Sequence, residues 1–294
     1  GNTVAMTGDG VNDILALKEA DCSIAMASGS EAVRSVSHMV LLDSKFSSMP
    51  QAVFEGRRVI NNVQRSSALF FMKTIFTILF SIFILANRQV YPFAPLQMYM
   101  LEFFVIGIPS FFLALQPNKS RIKGRFIYNL FKNALPGALT LFINCISVYI
   151  FVLLTQGNWD DRVLISSMCT IAITFTGLAM LLRLCQPMST LTGILFTTMT
   201  SLCLGLTIFA PDFFDIARVG RENTLFIIIL ILISGYIITI FSKILDKINI
   251  GSSQQVKISS WVDQQVKNNH NLQFPTIIDT KQKDDEKLVD KHSK

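Results

Sequence analysis

Charge is what this chain has least of. Asp, Glu, Lys and Arg make up only 16% of its 294 residues, whereas a water-soluble domain carries about a quarter. The deficit points to a membrane protein, and the charges that remain are gathered into residues 1–65, the 116–132 loop and the tail after 243. The net charge of +6 is therefore a signal of membrane topology. No basic patch interleaves with aromatics on a polar surface, which argues against nucleic acid as a partner. Cysteine is also scarce: Cys22, Cys145, Cys169, Cys185 and Cys203. Their number is odd, four lie in apolar stretches, and none forms a CxxC or CxC pair. They read as small buried hydrophobes and not as a disulfide framework or thiolate metal site. His38 precedes a strand and reads as a satisfied group; His270 and His292 read as solvated.

The chain opens Gly1-Asn2-Thr3, with no initiator methionine and no signal peptide. The strand pattern beginning at Thr3 should already have neighbours. The expectation is the C-terminal portion of a longer polypeptide.

What is present begins as short apolar strands alternating with short helices. "TVAMT" (3–7), "CSIAMA" (22–27) and "MVLL" (39–42) read as strands. "NDILALKEA" and the capped "SGSEAVRSVSH" read as helices. Such alternation implies a parallel sheet, with chemistry at the C-terminal ends of its strands. Residues 46–67 read as a long amphipathic stalk helix, rich in basic residues and amides, that runs on into apolar sequence.

Six apolar stretches of about 20 residues follow, the length a bilayer core requires. Their expected bounds are 68–87, 96–115, 134–154, 163–183, 190–210 and 224–243. The loop between the second and third carries Lys119, Arg121, Lys123, Arg125 and Lys132 without an acid, so it is expected on the cytoplasmic side. The loops at 156–162 and 211–223 mix acids and bases, which suits the outside. An even number of spans then puts the N-terminal part and the tail in the cytoplasm. The domain plan is 1–45 for an α/β unit, 46–67 for the stalk, 68–246 for the six-helix bundle and 247–294 for a polar tail. That tail has too little to bury and is expected to be disordered.

The segment with the densest chemistry is "TGDGVND", residues 7–13. A glycine stands on each side of Asp9, which lets the backbone close tightly. Two carboxylates, Asp9 and Asp13, with the Asn12 amide suit Mg²⁺, a hard cation that takes oxygen ligands and keeps several waters. Mg²⁺ clamps phosphate oxygens, so the loop points to phosphoryl chemistry.

"TGDGVND", followed by "ALKEADCSIAMASGSEAVRSVSHMVLL", closely resembles the hinge segment of P-type cation-transporting ATPases. "GRRVINNVQRSSALFFMKT" and "GIPSFFLALQPN" resemble their stalk helix and the span after it. The resemblance is strong to about residue 132 and rests on span count beyond that. It implies a piece of a haloacid-dehalogenase-like phosphorylation domain followed by an all-α six-span bundle. It also implies ATP as substrate and a multi-pass protein of the plasma membrane. By the same resemblance Asp9 ligates Mg²⁺, Asn12 contacts the transferred phosphoryl group, and Asp13 holds the loop, with Gly8 and Gly10 setting its geometry. The stalk then links ATP chemistry in the cytosol to an ion site in the bilayer. The family's phosphorylated DKTGT motif and its TGES motif are both absent from these residues, so the chain alone is expected to be inactive and to need the missing upstream portion.

Six spans and no CPC motif argue against the copper and zinc branch. The remaining field is cation pumps for Ca²⁺, Na⁺/K⁺ or H⁺, with lipid and polyamine translocators as relatives. Glu102 is the only acid in the first two spans, and an ionisable group there is a functional residue by default. Lys73, Thr74 and Thr77 share the first span, with the two threonines expected on one face. Relative to calcium pumps of the family, Thr74, Thr77, Val105 and Ile106 stand where oxygen ligands are carried, so the usual two-calcium site is not intact. A Lys73–Glu102 pair tuning one cation site is the expectation, against the plainer reading of Lys73 as a side chain reaching for the interface. The "KT…IPSFFLAL" arrangement resembles a bacterial branch related to mycobacterial calcium-uptake pumps, which leans toward Ca²⁺. Thr140, Asn144 and Ser147 are expected to hydrogen-bond between helices as packing, and Phe103, Phe104, Phe111 and Phe112 to be bulk packing. A non-catalytic membrane remnant that kept the fold and lost the chemistry is the competing reading.

Overall fold

The computed structural model describes residues 3–247, apart from 123, 158 and 187. The expected tail lies outside the described residues. The described residues divide into two compact units, 3–53 and 54–247.

The first unit is a three-stranded parallel sheet in the order β1 (Ala5–Gly8), β2 (Cys22–Met26), β3 (Met39–Leu41). Pairing begins at Ala5 with Cys22, so β1 sits a residue or two later than the apolar run suggested. Val4 is instead held by the Asp21 carboxylate, which accepts its N–H at 2.8 Å. After β1 the chain makes a 3₁₀ turn over Val11–Asp13 before α1 (Ile14–Glu19). Ser30 caps α2 (Glu31–Val36), its hydroxyl accepting the Val33 N–H. The core is small: Leu17, Ala25 and Val33, with Met6, Ile14 and Val40 packed against them. His38 is tied to Ser23, whose N–H and hydroxyl both meet its Nδ1 at about 3 Å.

The second unit is helical. Among the described residues six helices are long and apolar enough to cross a membrane. The first, α3, runs unbroken from Met49 to Ala86, joining the expected stalk and first span in one element. The second span comprises α4 (Pro95–Leu101), a π-helical stretch (Glu102–Gly107) and α5 (Ile108–Ala114). Then come α6 (Phe126–Gln156), α7 (Arg162–Leu184), α8 (Thr190–Phe209) and α9 (Arg221–Lys247). Helix α6 begins eight residues before the apolar run. Lys132, expected in the loop, is therefore helical, and it pairs with Asp246 at 2.6 Å.

Helix α7 is the centre of the bundle and packs against α4, α6, α8 and α9. Without water, helices associate through close approach and small residues. A methyl group on Gly177 of α7 would lie 2.9 Å from both Leu101 and Val105. One on Gly137 of α6 would lie 2.6 Å from the Met72 sulfur. These two glycines let α7 and α6 press against the first two spans. The hydroxyls of Thr140 and Ser147 turn back to carbonyls of their own helix, against the expectation of bonds between helices. Asn144 does reach across, donating to Thr176 at 2.7 Å and Ser234 at 2.8 Å. All five cysteines are free and four are buried. Phe103 and Phe111 are exposed, at 55% and 63%, and so are not interior packing among the described residues.

Candidate functional site

The acidic loop leaves the C-terminal end of β1. The Asp13 carboxylate turns back over it, and its Oδ2 accepts the N–H groups of Asp9 at 3.3 Å and Gly10 at 3.2 Å. The two aspartates therefore have different tasks. Asp13 is half-buried and committed to the backbone. Asp9 is exposed, and its carboxylate has no partner among the described residues. Asn12 is exposed beside it.

Space explains Gly8: a methyl there would stand 2.7 Å from the Asp13 Cβ and 2.8 Å from its Oδ2. Gly10 has ordinary extended angles, φ −100° and ψ 154°, and its nearest neighbour would be 3.7 Å from a methyl. Tight closure around Asp9 thus demands a glycine on one side only. The other close approach comes from the loop after β2. A methyl on Gly29 would lie 2.8 Å from the Asp9 carbonyl oxygen, and the Ser30 N–H donates to that oxygen at 3.1 Å. Gly29 and Ser30 pack against the Asp9 backbone, whereas sequence reasoning took them only as helix-capping residues. The signal was "SGS" directly after a second strand.

Among the described residues no three His, Cys, Asp or Glu side chains gather as a metal site. One free carboxylate with a neighbouring amide does fit Mg²⁺, which is commonly held by one or two carboxylates plus phosphates and water.

In the helical unit, Lys73 of α3 and Glu102 of the second span form an ion pair. Thr77, one turn from Lys73, has a buried hydroxyl close to that of Tyr91. Thr74 is exposed, and its hydroxyl donates to the Phe70 carbonyl at 3.0 Å. The two threonines, three apart, thus lie in different surroundings. Val105 and Ile106 are buried and apolar.

Glu102 opens the π-helical stretch. Its cause is local: Pro109 has no N–H to give the Val105 carbonyl, and the ring disfavours a regular turn before it. The Ile108 N–H reaches back five residues to Phe103. A π turn inserted in an α-helix is frequently a functional feature, and sequence reasoning missed it although Gly107 and Pro109 signalled it.

A polar clamp ties α3 to the segment after α5. The Asn62 amide donates to the carbonyls of Ala114 at 3.0 Å and Gln116 at 2.6 Å. Asn61 reaches the Ser120 carbonyl at 2.7 Å. Arg65 donates to the Gln116 side chain at 3.0 Å and the Gln186 carbonyl at 3.2 Å. These side chains had read only as the polar face of a stalk.

Comparison with known proteins bears on both places. Residues 1–52 match the model of haloacid dehalogenase-like hydrolases. A Mycolicibacterium smegmatis protein named "Calcium-transporting ATPase CtpE" is 45% identical over 151 residues, covering 48% of this chain and 19% of its own length. Its Mycobacterium tuberculosis counterpart is 36% identical over 200 residues, 64% of this chain and 25% of its own. A Streptococcus pneumoniae protein named "Probable cation-transporting ATPase exp7" is 38% identical over 195 residues, again 64% and 25%. The relatives that this chain matches are thus named as cation- or calcium-transporting ATPases. The chain spans about a quarter or less of the length of these P-type relatives.

Proposed function

We propose that this chain forms the C-terminal part of an ATP-driven cation pump. In the whole protein, hydrolysis of ATP through an aspartyl-phosphate drives a cation across the plasma membrane. The observation that carries the proposal is the division of labour in the 7–13 loop. Asp13 is spent on the backbone, so Asp9 is left free at the end of a parallel strand, where α/β folds place phosphate chemistry.

In this reading Asp9 holds Mg²⁺ and Asn12 contacts the transferred phosphoryl group. Mg²⁺, when bound, neutralises charge on the phosphate oxygens. The phosphorylated Asp and the nucleotide-binding residues come from the missing N-terminal portion, because no DKTGT motif occurs here. The chain by itself does not hydrolyse ATP. The transported cation binds beside Glu102, with Lys73 as the partner of that carboxylate and the hydroxyls of Thr74 and Thr77 nearby. Ca²⁺ is the first candidate, supported by the names of the mycobacterial relatives. The 1–45 unit and the tail face the cytoplasm.

The test is made on the full-length protein. Asp9→Asn keeps the shape and removes the free carboxylate, and is expected to abolish Mg²⁺-dependent phosphoenzyme formed from labelled ATP, with expression intact. A panel of cations, read as stimulated ATPase activity, is expected to single out Ca²⁺ in the parent, and Glu102→Gln to lose that stimulation while still being phosphorylated. Normal phosphoenzyme in Asp9→Asn would sink the loop assignment. Wild-type stimulation in Glu102→Gln would move the cation site elsewhere.

A further inference from the structure

One cavity in the helical unit plays no part in the proposed pump cycle. It measures about 730 Å³, within the range of small-molecule pockets. Its walls are apolar: Ile171 and Phe175 of α7, Leu204 and Ile208 of α8, Ile228 and Leu232 of α9. It exists because α8 and α9, although consecutive, scarcely touch. Helix α9 packs on α6 and α7, and α8 packs on α7 and the second span. The segment between them, 211–219, closes one end.

Three side chains in the lining carry polar groups: Thr207, Thr224 and Arg218. Both threonine hydroxyls donate to carbonyls nearby in their own chain, at 2.7 Å to Cys203 and 3.0 Å to Gly220. The Arg218 guanidinium is therefore the free donor. It is exposed and has no partner among the described residues. Asp212, Asp215 and Glu222 lie close in sequence but do not line the cavity.

We infer that this cleft is a binding site for a glycerophospholipid with an anionic headgroup. The medium between two spans is hydrocarbon, and an unfilled apolar void forfeits dispersion contacts. An acyl chain supplies them. At the closed end one arginine faces the cavity with a planar fork of donors that matches phosphate. The lipid belongs to the leaflet at the 157–161 and 210–220 end of the bundle, and it fills the seam that α8 and α9 leave open.

The full-length protein, purified in mild detergent and stripped of lipid, is titrated in native mass spectrometry with phosphatidylglycerol and with phosphatidylcholine of the same acyl chains. One phosphatidylglycerol is expected to bind about tenfold tighter than phosphatidylcholine, the scale of one charge-assisted contact. Arg218→Gln is expected to erase that preference, and Arg125→Gln, at the opposite end of the bundle, to keep it. Leu204→Trp fills the cleft from an exposed position, and Ile228→Trp fills it from the facing wall. Either is expected to weaken both lipids. Equal binding of the two lipids by the parent overturns the inference. So does a preference that survives Arg218→Gln or is lost equally in Arg125→Gln, or lipid binding untouched by both tryptophans.

Discussion

Gly8 and Gly10 flank the same aspartate, yet only Gly8 is short of space. The difference gives two substitutions opposite expected signs. Gly8→Ala drives a methyl into the Asp13 side chain, and overpacking of this kind costs about 1–3 kcal/mol. Gly10→Ala meets only an ordinary contact, 3.7 Å to the Asp13 Oδ2, at angles alanine adopts freely, so it should stabilise by about 0.4–1 kcal/mol through the unfolded chain. Thermal melting of the full-length protein, followed by hydrogen exchange in residues 5–30, reads the sign of each. A destabilised Gly10→Ala would mean that something beyond these residues fills the space around it. The loop's two carboxylates were legible in sequence because their spacing alone suggests a turn. Their separate tasks were not, since only the fold shows that Asp13 bends back to two N–H groups. Gly29 was invisible for a similar reason: its constraint is a carbonyl twenty residues away, brought near by the pairing of β1 with β2.

At the scale of elements, the informative feature is where regularity fails. Hydropathy located the second span, and counting acids located Glu102, but neither shows a change of helical pitch. Pro109→Ala restores the donor that the Val105 carbonyl lacks. A π turn holds an extra residue, so relaxing it to α geometry should rotate Glu102 by about 100° relative to α5. The expected outcome is loss of the Lys73 pair, read as at least a tenfold change in apparent cation affinity of stimulated ATPase. An unchanged affinity would show that the pair does not depend on the π turn. The clamp on α3 offers an independent measurement. Asn62→Ala takes donors from the carbonyls of Ala114, the last residue of α5, and Gln116 beyond it, and leaving a buried acceptor unmet costs about 1–3 kcal/mol. Faster proteolysis in the 115–125 loop is the expected readout, and parental resistance would deny the clamp its role. The amides were legible as residues but not as a clamp, because a polar stalk face and a polar contact look alike until the partner loop is placed.

At the scale of the helical unit, each end of the bundle is stitched by its own polar contacts, and the charges differ between them. At one end Lys132 meets Asp246, Arg65 reaches the Gln186 carbonyl, and Gln116 reaches Ser189. Among the described residues that end carries Arg57, Arg58, Arg65, Lys119, Arg121, Arg125, Lys132, Arg183, Lys243 and Lys247 against the acids Glu55 and Asp246. At the other end the buried Gln97 donates to Ser166 at 3.1 Å and to the Asp215 carbonyl at 2.8 Å. There Asp160, Asp161, Asp212, Asp215 and Glu222 offset Arg88, Arg162, Arg218 and Arg221. Orientation follows the excess of Lys and Arg in short loops and near span ends, and acids contribute little to it. The first end should therefore be cytoplasmic. The Lys132–Asp246 pair does not weaken that assignment, because a partly exposed pair is worth only about 0–1 kcal/mol and leaves the lysine charged. The four buried cysteines give a quiet background for labelling, and Cys22→Ser removes the fifth. In intact cells, cysteines placed at Asp160 and Asp212 should react with an impermeant maleimide. Those placed at Lys119 and Lys243 should react only after the membrane is opened. Labelling of Lys119→Cys from outside would invert the bundle and take the Asp9 loop away from cytosolic ATP, so this measurement bears on the whole proposed cycle and not only on its topology.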